Sequence, residues 1–86
     1  MDAETFCRRL LAGKHLTLTY KKDGLAGMVE VWRHGDRYVM TWEECEDGQQ
    51  FNENEYTKDL RQEFDSPAHV VRYLEECDVD VAGFRP

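Results

Sequence analysis

Two short turn signals, Asp23-Gly24 and Gly35-Asp36, separate three segments in which polar and apolar residues alternate, and they constrain the fold more than any other feature. Asp-Gly is typical of a two-residue type I′ turn, whereas Gly at the first central position suits a type II′ turn. Both turn types join antiparallel strands. The three segments HLTLTYK, AGMVEVWRH and RYVMTWEE are therefore predicted to form a β-meander over residues 15–44.

The two turns also predict the register of the strands. If each loop contains two residues, Lys22 faces Leu25 and Val31 faces Met40. Because directly opposite residues of antiparallel strands share a face, the large apolar side chains then collect on one side of the sheet. We call this side the core face, and it is predicted to carry Leu16, Leu18, Tyr20, Val29, Val31, Tyr38, Met40 and Trp42. A slip of one residue would destroy this sorting.

Helix signals flank the meander on both sides. Residues 2–12 have the apolar period of a helix, with Asp2 as N-cap and Gly13 as a left-handed residue after its end. Ser66-Pro67 is a specific start signal for a second helix, which is predicted to run to about Cys77. This helix is predicted to present Val70, Val71, Leu74 and Cys77 to the core, as the first helix presents Cys7. The fold class is thus predicted to be α+β, an antiparallel three- to four-stranded β-meander with an N-terminal and a C-terminal helix packed on one face, in a single domain over residues 1–86.

The segment between the meander and the second helix has two interpretations. Residues 56–64 alternate like a fourth strand, yet Tyr56, Leu60 and Phe64 are also four residues apart, as on a helix face. We favour the strand because this segment leads directly into the helix start at Ser66-Pro67. The pattern does not finally decide whether residues 49–64 form a strand or a helix, and the tail after Cys77 is predicted to form a short strand or to pack loosely.

The face of the meander opposite the core face is mostly polar, but it carries three large apolar residues. Trp32 is predicted to lie opposite Val39 on one side and His15 on the other, with Met28 nearby. Trp and Met on a polar sheet face are typical of a protein-binding hot spot. The alternative is that the chain tail or a long loop covers Trp32, or that Trp32 is an isolated surface aromatic, which needs no functional explanation.

Charge is distributed unevenly along this chain of net charge −7. Residues 1–42 carry seven basic and five acidic side chains, whereas residues 43–86 carry four basic and thirteen acidic ones. The acidic run Glu43, Glu44, Glu46 and Asp47 would attract a basic protein surface, although most such runs are merely solvated. Because an acidic half repels phosphate backbones, direct nucleic-acid binding is not expected. The run also lacks the spacing of a calcium loop.

Catalytic and metal-binding patterns are weak in this sequence. The cysteines at positions 7, 45 and 77 form no closely spaced pair, and the three histidines have no ligand-like spacing, so we expect no metal and no cofactor. No nucleophile, phosphate-loop or zinc-protease motif occurs. A flat sheet face lacks the concave pocket that an enzyme needs, so catalysis is not expected. The absence of a leader-like or membrane-spanning segment indicates a cytoplasmic protein.

The leading functional hypothesis is a non-catalytic protein-protein binding or regulatory module. Its contact surface would be the sheet face around Trp32, Met28, Val39 and His15, together with the acidic run, and its partner would be a protein with a basic surface. One alternative is an acidic inhibitor that mimics nucleic acid and binds a basic DNA- or RNA-binding protein. A second is a small ligand-binding protein or enzyme with an unrecognised pocket. A homodimer through the Trp32 face or a sheet edge also fits the pattern.

Overall fold

The computed structural model describes residues 1–48 and 56–86, which form an α+β fold. Helix α1 (Ala3–Leu11) precedes strands β1 (Leu16–Lys22), β2 (Leu25–His34) and β3 (Arg37–Glu46). Strand β4 (Tyr56–Phe64), helix α2 (Pro67–Glu76) and a short 3-10 helix (Val81–Gly83) follow. The four strands form one antiparallel sheet in the order β1-β2-β3-β4, so the predicted fold class is confirmed.

The register predicted from the two turns is confirmed at both hairpins. Lys22 pairs with Leu25, and Val31 pairs with Leu16 on one side and Met40 on the other. Asp23 and Gly24 both have positive φ angles, 53° and 78°, as a type I′ turn requires. In the second turn the positive φ angle belongs to Gly35, at 65°, which is the first central position of a type II′ turn.

Both helices pack on the core face of the sheet. The side chain of Asp2 accepts a hydrogen bond from the backbone N–H of Thr5, and that of Ser66 accepts one from His69, so each helix has the N-cap expected from the sequence. The interior joins α1 and α2 to the sheet through Phe6, Leu10, Leu16, Val29, Val31, Tyr38, Met40, Trp42, Val70, Val71, Leu74, Val81 and Phe84. All of the predicted core-face residues belong to this cluster or pack against it.

The strand interpretation of residues 56–64 is confirmed. Trp42 pairs with Leu60 and Tyr38 with Phe64, so β4 continues the meander at the edge of the sheet. The register shifts between Glu44 and Cys45, which leaves Thr57 as an extra residue in β4 and marks a β-bulge. Residues 49–55, whose conformation the sequence left undecided, lie outside the described residues.

The C-terminal segment is ordered against the core, not loosely packed. Val81 and Phe84 are buried, and the Phe84 ring meets that of Phe6 edge to face at 5.2 Å. Arg85 then exchanges two backbone hydrogen bonds with Thr17, which covers part of the outer edge of β1. In the described part of the chain, neither helix is long and apolar enough to cross a membrane.

Candidate functional site

The candidate site lies on the side of the sheet that faces away from both helices, which we call the open face. Cross-strand pairing arranges its side chains in rows, and on this face the second row from the β2–β3 turn places Trp32 beside Val39, with Glu63 next to it. The ring of His15 stacks on Trp32 with centroids 5.2 Å apart and planes within 9° of parallel. The sequence predicted this juxtaposition of His15, Trp32 and Val39 correctly.

A hydrogen bond fixes the His15 ring over Trp32. His15 Nε2 lies 2.9 Å from Glu30 Oε2, and the Glu30 side chain is 28% exposed, so this contact is partly shielded from water. Trp32 is half-buried, with His15 covering part of its surface. The indole thus has a defined orientation before any partner arrives, which reduces the entropy lost on binding.

The other two large apolar side chains of the open face differ in exposure. Met28 is half-buried and has surface available for contact. Val39 has no exposed surface at all, so in this structure it cannot touch a partner directly, although the sequence placed it among the contact residues. A strand period shows which face a side chain occupies, but its depth depends on the size of the neighbouring side chains.

The open face is not flat, contrary to our expectation from the sequence. A concavity of about 440 Å³ lies beside Met28, and its lining includes Thr19, Lys21, Ala26, Met28, Glu43 and Cys45. Ala26 lies between Lys21 and Cys45 in one cross-strand row, so a single methyl group occupies the middle of that row. The concavity carries apolar side chains on its floor and one carboxylate, Glu43, in its lining.

The charges around this concavity are mostly acidic. Register places Asp59 directly opposite Glu43, so two carboxylates stand side by side on the open face. The basic residues at the two ends of this face are engaged in ion pairs. Lys21 Nζ lies 3.5 Å from Asp47, and Arg37 contacts both Glu63 and Asp65. Arg61 also lies on this face, opposite Thr41. The concavity itself is lined by Glu43, with Asp59 opposite, and by the ion-paired Lys21, so this part of the face suits a cationic ligand more than an anionic one.

The acidic run predicted as a contact surface is divided between the two faces of the sheet. Glu43 lies on the open face, whereas Glu44 lies on the core face, where it accepts hydrogen bonds from Tyr20 and Thr57. Glu46 is exposed at the end of β3, and Asp47 pairs with Lys21. Of the four acidic residues, Glu43 is the one that the structure brings together with Met28.

Sequence analysis missed a polar network on the core face beyond the helices. The Tyr20 hydroxyl accepts a hydrogen bond from Trp42 Nε1 at 3.0 Å and donates one to Glu44 Oε1 at 2.5 Å. Burial and the hydrogen bond to Glu44 raise the pKa of Tyr20 above its usual value, so the phenol is the neutral donor. Lys58 Nζ lies 3.8 Å from the centroid of the Trp42 ring.

This network forms one wall of a second cleft of about 650 Å³, which is closed on the other side by the segment after α2. The signal that could have revealed it is Gly27, because a glycine inside a strand often marks the close approach of another group. Tyr20 lies directly opposite Gly27 and extends across it to reach Glu44, which pairs with Gly27 on the other side.

The cysteines and histidines do not converge. Cys7 is half-buried and Cys45 is buried, but Cys77 is exposed, so the prediction that Cys77 faces the core is wrong. Helix α2 ends at Glu76, and Cys77 follows as its C-cap, outside the helical period on which that prediction depended. Within residues 1–48 and 56–86, no three His, Cys, Asp or Glu side chains are placed to hold a metal ion.

Comparison with known proteins does not assign this chain to a family. The chain matches no protein-family model, and neither a curated protein nor a solved structure is significantly similar to it.

Proposed function

We propose that this chain is a non-catalytic binding module that receives a basic protein segment on its open face. The observation that supports this function is the apolar concavity beside Met28, with Glu43 in its lining and Asp59 next to Glu43. A lysine or arginine side chain has a long apolar stem and a cationic head. The stem would lie on Met28 and Ala26, while the head would meet the two carboxylates.

Trp32 supplies the second element of the proposed contact. It lies two residues from Glu30 and four from Met28 along the same face of β2, so an extended segment crossing this face would touch both Met28 and Trp32. Aromatic residues held in a fixed orientation dominate binding energies at protein interfaces. The acidic surroundings would raise the rate of association with a basic segment, most strongly at low ionic strength.

Nuclear magnetic resonance with three peptides of equal length, rich in arginine, glutamine or glutamate, tests this function. The arginine peptide is expected to shift the methyl signals of Met28 and Ala26 and the indole signal of Trp32, and the glutamate peptide to shift none of them. The effect should weaken as salt is added. Binding of the glutamate peptide, or shifts confined to α1 and α2, would overturn the proposal.

Substitution of Trp32 by alanine is expected to weaken binding of the arginine peptide by about 2 kcal/mol, which is roughly thirtyfold in Kd. The matched control is Leu11→Ala, because Leu11 on α1 is 53% exposed and lies away from the open face. Circular dichroism of both variants verifies the fold. Equal loss of binding in the two variants would place the contact elsewhere.

A further inference from the structure

The outer edge of β4 is open in the described part of the chain, and its backbone groups point away from the sheet at alternate residues. Thr17 exchanges both of its backbone hydrogen bonds with Arg85, so its N–H and C=O point away from β2. Along a row of paired residues in an antiparallel sheet, hydrogen-bonded and non-hydrogen-bonded pairs alternate from one strand to the next. Arg61 lies in one row with Thr17, Glu30 and Thr41. Its backbone N–H and C=O therefore point outward, away from β3, and so do those of Asp59 and Glu63, which lie two residues away in the same strand.

Two charged side chains at this edge, Asp59 and Arg61, face no opposite charge on the neighbouring strand β3. Asp59 stands opposite Glu43, which has the same sign, and Arg61 stands opposite Thr41. Neither Asp59 nor Arg61 belongs to an ion pair among the described residues. Like charges directly opposite each other in a sheet are destabilising, so the Asp59 carboxylate would gain from a nearby cation.

We propose that two copies of this chain associate antiparallel along their β4 edges, around a twofold axis that passes beside Leu60 perpendicular to the sheet. In this register Asp59 faces Arg61 of the second copy, and the reverse pair forms by symmetry. Leu60, which is half-buried in one chain, meets its own counterpart at the centre of the contact. The result is one continuous sheet of eight strands, four from each copy.

The charge pattern selects this register over its two neighbours. If the twofold axis passed beside Arg61, Arg61 would face Arg61 of the second copy, and Asp59 would face Glu63 of the second copy. If the axis passed beside Asp59, Asp59 would face Asp59 of the second copy. Both shifts keep the faces of the sheet aligned, yet both juxtapose like charges. The Leu60 register also coincides with the midpoint of β4, so it uses the full strand.

The opposite edge of the sheet does not offer the same surface. Arg85 already pairs with Thr17 on the outer side of β1. The remaining part of that edge carries Lys21 and Lys22, which would repel the same residues of a second copy. The β4 edge is thus the one at which the described chain is complementary to itself.

Sedimentation equilibrium over a range of protein concentrations measures this association. Because a single pair of strand edges buries less than the roughly 1,200–2,000 Å² typical of stable complexes, we expect a concentration-dependent dimer. Asp59→Arg leaves two arginines on the edge, and Arg61→Asp leaves two aspartates. Each variant alone is expected to dimerise about tenfold more weakly than the unmodified chain, because two attractive pairs become repulsive.

An equal mixture of the two variants provides the decisive comparison. In the mixed dimer every charge again faces its opposite, so association should return to the level of the unmodified chain. Lys22→Glu on the β1 edge is the matched control and should leave association unchanged, and circular dichroism verifies that each variant is folded. A monomeric unmodified chain, variants that dimerise as strongly as the unmodified chain, or a mixture that fails to associate would each overturn the proposal.

Discussion

At the scale of single residues, Gly27 illustrates a packing requirement in the middle of a strand. Glycine normally weakens a strand because it loses much conformational freedom and offers no side chain for packing. Here the absence of a Cβ atom leaves room for the Tyr20 ring, which crosses Gly27 to reach Glu44 and Trp42. One small residue therefore permits both hydrogen bonds of the Tyr20 hydroxyl.

Replacing Gly27 with alanine is expected to destabilise the protein by about 2 kcal/mol, as typical overpacked sites do. The added Cβ atom would lie 2.1 Å from Tyr20 Cζ, so the ring would have to move away from Glu44. Urea unfolding measures the loss. In a Tyr20→Ala background the same substitution should cost much less, because its clash is gone. An equal cost in both backgrounds would show that Tyr20 is not the cause.

At the scale of secondary-structure elements, the sequence predicted what depends on local chemistry. The turn residues Asp23-Gly24 and Gly35-Asp36 determined the strand register, and the caps Asp2 and Ser66 determined the helix starts. Each of these signals involves neighbours in sequence, whose conformational preferences are strong enough to survive in the folded chain. The same register brought His15 onto Trp32, so part of the candidate site was predictable as well.

The sequence could not predict features that depend on side-chain volume across several strands. Val39 faces away from the helices and yet is buried, while the row containing Ala26 is hollow. Alternation assigns a residue to a face, but the sizes of its cross-strand neighbours decide whether that residue is covered. The concavity beside Met28 was missed for this reason.

The first hairpin permits a direct test of how strongly its turn controls the register. Gly24 has a φ angle of 78°, and a Cβ atom added there would meet nothing within 4 Å, so any cost of substitution arises from backbone conformation. Gly24→Val is expected to lose more than 1 kcal/mol of stability, roughly the scale of an incompatible substitution, whereas Gly24→Asn should lose less because Asn tolerates the left-handed region. Thermal or urea unfolding compares the two variants, and equal losses would contradict this explanation.

At the scale of the whole molecule, the two proposals concern different surfaces, the open face and the β4 edge, and they share one residue, Asp59. A twofold axis perpendicular to the sheet leaves the open faces of both copies on the same side. The dimer would then present two Trp32 surfaces in one plane, and a partner with two basic segments could bind both at once. Such bivalent contact increases the overall affinity without any new contact within one copy.

The two tryptophans report separately on the two faces of the sheet, which leads to a final prediction about accessibility. Trp42 on the core face is 5% exposed and has Lys58 over its ring, whereas Trp32 on the open face is half-buried. Acrylamide should therefore quench the emission of Trp32 much more strongly than that of Trp42. The variant Trp32→Phe isolates Trp42 and should be quenched severalfold less than Trp42→Phe, with circular dichroism to verify both folds. If the arginine peptide binds as proposed, it protects the emission of Trp32 and leaves that of Trp42 unchanged. Equal quenching of the two variants would mean that the core face opens to solvent around Trp42, and the assignment of one accessible and one covered face would be wrong.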